Sequence, residues 1–80
     1  MTQKAKELAR QLYEETKKYF PEIVFSSIQP HPEQARRFWI KVYASMDEDR
    51  RTEMREFVAD RATDILIANG YSFAVMVERS

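Results

Sequence analysis

The segment Arg37–Ala44 alternates strictly between two kinds of side chain, and this pattern limits the fold more than any other feature of the sequence. One set is Phe38, Ile40, Val42 and Ala44, and the other is Arg37, Trp39, Lys41 and Tyr43. A period of two is typical of a strand with one buried face. We therefore predict a strand whose Phe38 row packs on helices and whose Trp39 row points away from them.

The segment 3–19 has helical periodicity. Thr2 is suited to the N-cap position, and Pro21 stops the helix because the residue before a proline avoids the α conformation. The apolar positions recur at the spacing of one helix face, namely Ala5, Leu8, Ala9, Leu12, Thr16, Tyr19 and Phe20. This predicts a first amphipathic helix over residues 3–19.

A second helix is predicted to begin at a capping box, Ser45 to Glu48, and to run to Ala68 before Asn69-Gly70, a common left-handed termination. Its apolar stripe is Met54, Val58, Ala62, Ile65 and Leu66, flanked by Phe57 and Ala68. Asp47, Arg50 and Arg51 fall on the same stripe. We therefore expect the first two turns, Asp47–Glu53, to extend beyond the sheet into solvent.

Two further strands complete the sheet. Ile23–Ile28 is short and β-branched, and Gln29–Gln34, with two prolines, reads as the loop of an antiparallel hairpin. Tyr71–Glu78 alternates again, and its core side is predicted to be Tyr71, Phe73, Val75 and Val77. If this last strand pairs in parallel, its connection should be a right-handed crossover.

The elements together predict an α+β fold, a two-layer α/β sandwich in the order α-β-β-α-β. Both helices should cover one face of a three-stranded sheet, and residues 1–80 should form a single domain. The N-terminal residues lack the apolar run of a signal peptide, and no segment has the ~20 apolar residues of a membrane span. The chain has no cysteine, which fits a reducing compartment, and we expect a cytoplasmic protein.

The charge is balanced overall and uneven along the chain. Basic and acidic residues both number 13, so the basic excess typical of duplex-DNA binders is missing. Residues 1–41 carry 8 basic and 5 acidic side chains, and residues 42–80 carry 5 and 8, giving halves of +3 and −3. This bipolar distribution suits dimeric association about as well as it suits nucleic acid, and the near-zero net charge favours self-association.

The open face of the predicted sheet is the candidate binding site. Its expected members are Arg37, Trp39, Lys41, Tyr43, Ser26, Ala74 and Met76. Aromatic rings between cations on an open sheet are a means of binding single-stranded nucleic acid. The alternative is an apolar patch covered by a second copy or a partner, formed by Trp39, Tyr43, Met76 and either Val24 or Ile28. Neutral net charge favours this second interpretation.

Other candidate sites have simpler structural interpretations. An acidic ridge on the second helix (Asp49, Glu53, Glu56, Asp60 and Asp64) is expected to be a solvated surface, since carboxylates spread along one helix do not converge on an ion. Arg61 should lay its methylenes on the core and pair with Asp64 or the first helix. His31 is expected to be an ordinary loop residue. We predict no metal, cofactor or catalytic site.

The order of elements is similar to that of small KH-like and BolA-like domains. The likeness is one of layout, because Gly70 is the single glycine and the chain has no G-x-x-G clamp. Layout alone does not carry function. The sequence therefore predicts a non-catalytic interaction module, self-associating or an adaptor, that uses the Trp39 and Tyr43 face. The alternative prediction is a small domain that binds single-stranded RNA or DNA.

Overall fold

The structure is a computed structural model that describes residues 2–78. Helix α1 (Gln3–Tyr19) is followed by strands β1 (Val24–Pro30) and β2 (Arg37–Tyr43), helix α2 (Glu48–Asn69) and strand β3 (Ser72–Glu78). The order α-β-β-α-β and the α+β class are confirmed.

The sheet has the order β1-β2-β3, so β2 lies in its centre. Strand β2 pairs antiparallel with β1 and parallel with β3. Phe38, Ile40 and Val42 are buried in a core to which both helices contribute, whereas Trp39 and Tyr43 keep part of their surface in solvent. The predicted direction of the β2 side chains is therefore correct, and both helices cover the same face.

Helix α1 begins and ends where the sequence predicts. The Thr2 hydroxyl accepts a hydrogen bond from the Ala5 amide at 3.2 Å, which satisfies one of the free amides of the first turn. The Phe20 amide closes the last turn on the Thr16 carbonyl at 2.9 Å, directly before Pro21. Thr16 is itself buried, and its hydroxyl donates to the Leu12 carbonyl at 2.7 Å.

The predicted capping box of α2 is wrong. Asp47 is the N-cap, and its carboxylate accepts a hydrogen bond from the Arg50 amide at 2.7 Å. The helix therefore begins two residues later than the Ser45 cap would place it, and a charged carboxylate oxygen accepts a stronger hydrogen bond than a serine hydroxyl does. The termination is confirmed at Gly70, which has a φ of +76° and donates its amide to the Leu66 carbonyl.

The predicted exposure of the first turns of α2 is correct for most of Asp47–Glu53 but not for Arg50 and Arg51, which are half-buried. Arg50 donates to the Glu22 carboxylate at 3.0 Å and to the Tyr19 carbonyl at 2.8 Å, and its guanidinium lies 4.3 Å from the centre of the Phe20 ring. These contacts fasten the start of α2 to the end of α1. A charge on the apolar stripe is accommodated here because the end of a neighbouring helix supplies its partners.

The apolar stripe of α2 is narrower than predicted. Met54, Val58 and Ala62 are buried, and Phe57 and Ile65 pack beside them. Leu66, predicted to face the core, is 45% exposed, and Ala68 is exposed as well. One residue is about 100° of helix rotation, so Leu66 turns away from the sheet when Ile65 faces it.

Strand β1 is longer than predicted and contains a β-bulge. It extends through Gln29 and Pro30, which were predicted to lie in the loop. A proline is tolerated there because β1 is an edge strand, where no second neighbour needs the missing amide. The register shifts between Phe25 and Ser27, so that one extra residue, Ser26, is inserted opposite β2.

Candidate functional site

The face of the sheet opposite the helices carries the candidate site. In the register of the sheet, Trp39 lies between Gln29 and Ala74, and Lys41 lies between Ser27 and Met76. Paired residues point to the same side of a sheet. This face, which we call the open face, thus brings together all of the predicted side chains: Arg37, Trp39, Lys41, Tyr43, Ser26, Ala74 and Met76. Their role in binding stays a prediction.

The β-bulge decides which residues of β1 belong to the open face. Val24 pairs with Tyr43 before the bulge and therefore lies on this face, whereas Ile28 pairs with Ile40 after it and packs on the core. The alternative of Val24 or Ile28 is thus resolved in favour of Val24. The inserted Ser26 has its hydroxyl 3.5 Å from a carboxylate oxygen of Glu78, which places it on the open face as well.

Trp39 is half-buried, and part of its indole is covered by its own hairpin loop. The His31 ring meets the indole edge-on, with ring centres 5.4 Å apart. The loop holds His31 in place, because its amide donates to the Arg37 carbonyl at 2.7 Å and its Nδ1 accepts from the Glu33 amide at 3.1 Å. The sequence analysis missed this contact. The available signal was that residue 31 continues the alternation that places Gln29 beside Trp39.

Glu78 is a second member of the open face that the sequence analysis missed. One of its carboxylate oxygens lies 3.6 Å from Lys41 Nζ, and both side chains are partly screened from solvent. The negative charge of Glu78 thus neutralises the positive charge of Lys41 on the open face. Arg37, by contrast, has no carboxylate within 4.0 Å among residues 2–78. The signal for Glu78 was the alternation of the last strand, which places its even positions on the open face.

Apolar side chains that remain accessible to water occupy much of the open face. Val24 is 56% exposed, Met76 43% and Tyr43 38%. They surround the Lys41–Glu78 pair and, together with Trp39, run across all three strands. A group of accessible apolar residues with few unpaired charges is typical of the centre of a protein interface.

Of the other candidate positions, Arg61 packs between the two helices and the acidic ridge of α2 is a solvated surface. Arg61 Nε lies 3.0 Å from the Glu15 carboxylate of α1, and its guanidinium lies 5.3 Å from the centre of the Phe57 ring. The predicted pairing of Arg61 with the first helix is thus confirmed. The acidic ridge of α2 is exposed along its length. No group of three metal-ligating side chains occurs in the described part of the chain.

A hydrogen-bonded ion pair on the helical side has perturbed ionisation. The Arg50 guanidinium donates hydrogen bonds to Glu22 and lowers the pKa of that carboxyl below its ordinary value of 4.5. The same bond raises the pKa of Arg50. Because this pair joins the ends of α1 and α2 and lies away from the open face, its perturbed pKa values belong to the packing of the two helices.

A groove of about 380 Å³ lies between α1 and the outer edge of β1, where it is lined by Lys6, Arg10, Tyr13, Phe25 and Ile28, together with Glu14. Its polar lining residues, Lys6, Arg10, Tyr13 and Glu14, all come from one helix, α1. Over residues 2–78, neither helix combines the length and apolarity needed to cross a bilayer.

Comparison with protein-family models, curated proteins and solved structures gave no match to this chain.

Proposed function

We propose that this protein is a non-catalytic interaction module whose open face binds a protein surface, either of a second copy or of another protein. The observation that carries the proposal is the accessibility of Val24, Tyr43 and Met76 around Trp39 on a sheet whose other face alone builds the core. Burying such a surface yields about 25 cal/mol per Å² of apolar area before the costs of association.

The charges of the open face support a protein partner. Lys41 and Glu78 neutralise each other at its centre, and Arg37 lies at the loop end of β2. Protein–protein contacts commonly have a centre depleted of unpaired charges and a rim that carries charged residues. We also expect a cytoplasmic location, which the absence of cysteine supports, and which microscopy of a fluorescently tagged chain will test.

Single-stranded nucleic acid is the second candidate ligand. Arg37, which has no carboxylate partner among residues 2–78, lies on the same face as the half-buried Trp39 and favours this ligand, since a guanidinium can bind phosphate while an indole stacks on a base. The distance between the aromatic rings does not favour it. Trp39 and Tyr43 are four residues apart, which is about 13 Å along a strand, and the cation between them is already paired.

Sedimentation velocity over a range of concentrations, combined with acrylamide quenching of the single tryptophan, tests the proposal. If open faces pair, the wild type dimerises and Trp39 becomes less accessible to acrylamide as the dimer forms. Trp39→Ser should weaken this association by about tenfold or more, as expected for an aromatic residue at the centre of an interface. Ile67→Ser, at an aliphatic residue that is 80% exposed on α2, is the matched control.

The outcomes separate the candidates. A wild type that stays monomeric, with Trp39 equally accessible at every concentration, removes the self-association version and leaves another protein as the ligand. Titration with single-stranded oligonucleotides at low salt tests the second candidate. Quenching of Trp39 that weakens as salt is added would replace the protein-binding proposal with a nucleic-acid-binding one.

A further inference from the structure

The outer edge of β3 has unpaired backbone groups. The Ser72 amide donates to the Arg36 carbonyl at 2.8 Å, so the backbone groups of Ser72 point toward β2. Because successive residues of a strand alternate in direction, the amides and carbonyls of Phe73, Val75 and Val77 point outward. Among residues 2–78, no backbone or side-chain group hydrogen-bonds to them.

The edge of β1 is protected in three ways. The bulge at Ser26 breaks its regularity, Pro30 has no amide to offer, and the outward amide of Phe25 is occupied by the Tyr13 hydroxyl at 3.1 Å. Such features prevent an edge strand from pairing with another chain. Strand β3 has no bulge, proline or basic residue, and its only charge is Glu78 at the end.

Helix α2 adds an accessible aliphatic residue on the same side of the molecule. Phe57 faces α1, since its ring lies 6.0 Å from that of Phe20. Leu66 is nine residues further along, which is about 180° around the helix, so it points away from α1 and toward the side on which β3 forms the edge. It is 45% exposed. The unpaired edge and this leucine thus lie on one flank.

We propose that two copies of this chain pair antiparallel through their β3 edges, on a two-fold axis at Val75, to form one continuous sheet. In this register Val75 faces itself and Phe73 faces Val77 of the second copy, so each outward amide meets an outward carbonyl. A shift by two residues leaves Phe73 or Val77 without a partner. The register is therefore set by the strand itself.

The side chains are compatible with this register. On the open face, Ala74 would lie opposite Met76 of the second copy, and Ser72 opposite Glu78, so no like charges meet. On the helical side, the two α2 helices would lie side by side, which removes Leu66 of each copy from water. The contact is isologous, as a closed dimer requires.

The dimer joins the two open faces into one surface, with Met76 and Ala74 at its centre and a Trp39 on each side. It leaves Trp39 accessible, so it differs from a dimer formed by stacking two open faces. The inference rests on the β3 edge and on Leu66. It can hold even if the proposed role of the open face is wrong.

The test is sedimentation velocity of the full chain and of four variants over the same concentrations. Val75→Pro removes the central outward amide of β3. Leu66→Lys places a charge on the exposed flank of α2 and leaves the sequence of β3 unchanged. Ile28→Pro, at an outward position of β1, and Ile67→Lys, at the next exposed residue of α2, are the matched controls. We expect the first two variants to weaken dimerisation by at least about tenfold and the two controls to leave it unchanged.

Amide hydrogen exchange provides a readout that does not depend on the folding of Val75→Pro. In the wild type, exchange at Phe73, Val75 and Val77 should slow as the dimer forms, while the accessibility of Trp39 to acrylamide stays constant. A monomeric wild type, or a dimer that survives Leu66→Lys with unprotected β3 amides, overturns the inference. A dimer lost in Trp39→Ser but kept in Leu66→Lys also overturns it, and supports pairing through the open face.

Discussion

The two faces of β2 differ in what they contribute, although they come from one seven-residue strand. On the helical side, Phe38, Ile40 and Val42 are at most 3% exposed and supply the centre of the core. On the open side, Trp39 and Tyr43 are only partly covered, and Trp39 meets the His31 ring of its own hairpin. The comparison shows that one face of the sheet supplies the core, whereas the residues of the proposed binding surface lie on the other face.

Ile40→Ala should give the largest effect and tests the helical side. The side chain is 2% exposed, and its loss leaves a cavity that the surrounding residues fill only in part. We expect the free energy of unfolding to fall by about 2–5 kcal/mol, measured by urea denaturation. Ile67→Ala, at an exposed position, should stay within about 0.5 kcal/mol of the wild type. Equal losses for the two variants would contradict the assignment of the core.

Trp39→Ala should lower the free energy of unfolding by only about 1 kcal/mol, in the range of the edge-on contact with His31 that it removes. The same urea experiment applies. His31→Ala removes that contact while keeping the indole, so the two variants should cost similar amounts. A loss for Trp39→Ala as large as that for Ile40→Ala would mean that the open face also holds the fold together.

The Glu22–Arg50 pair gives the helical side a pH dependence. The folded-state pKa of Glu22 lies below 4.5, so its contribution to stability is complete above pH 4.5 and is lost as the pH falls through the lower folded-state pKa. Glu22→Gln should therefore lower the urea midpoint slightly at neutral pH and reduce the loss of stability in acid. Urea titrations at several pH values measure this. If the urea midpoint of the wild type and that of Glu22→Gln depended on pH in the same way, this prediction would be contradicted.

Glu78→Gln should give the smallest effect, because the Lys41–Glu78 pair on the open face spans 3.6 Å and is partly solvated. Its contribution should not exceed about 0.5 kcal/mol. A double-mutant cycle with Lys41→Met isolates the pair, and the coupling should decrease as salt is added. A coupling free energy above about 1 kcal/mol would show that this ion pair stabilises the fold more than a solvated surface pair does.

The sequence predicted most of the fold because its signals were local and consistent. Thr2 and Pro21 mark the start and the end of α1. The alternation of β2 indicates which side chains of that strand face the helices. The N-cap of α2 was a local error, since Asp47 and not Ser45 caps the helix, whereas two further errors came from features that depend on tertiary context. Pro30 lies in a strand because that strand is at an edge, and Arg50 lies against α1 because Glu22 is brought to it by the fold.

The open face was predicted only in outline. Alternation places Trp39 and Lys41 on one side of β2, but neighbours on other strands depend on register. The bulge at Ser26, which moves Ile28 to the core, has no clear sequence signal. His31 and Glu78 reach Trp39 and Lys41 only once the hairpin loop and the parallel pairing of β3 are known.

Site-specific photo-crosslinking tests the central claim, that the open face binds a protein surface, most directly. A photoreactive phenylalanine analogue replaces Tyr43 in the intact chain inside cells, and the same analogue at Glu56, on the exposed ridge of α2, is the control. The account predicts a discrete crosslinked product from position 43, either a dimer of this chain or one defined partner, and none from position 56. Equal crosslinking from both positions, or none from position 43, would contradict it.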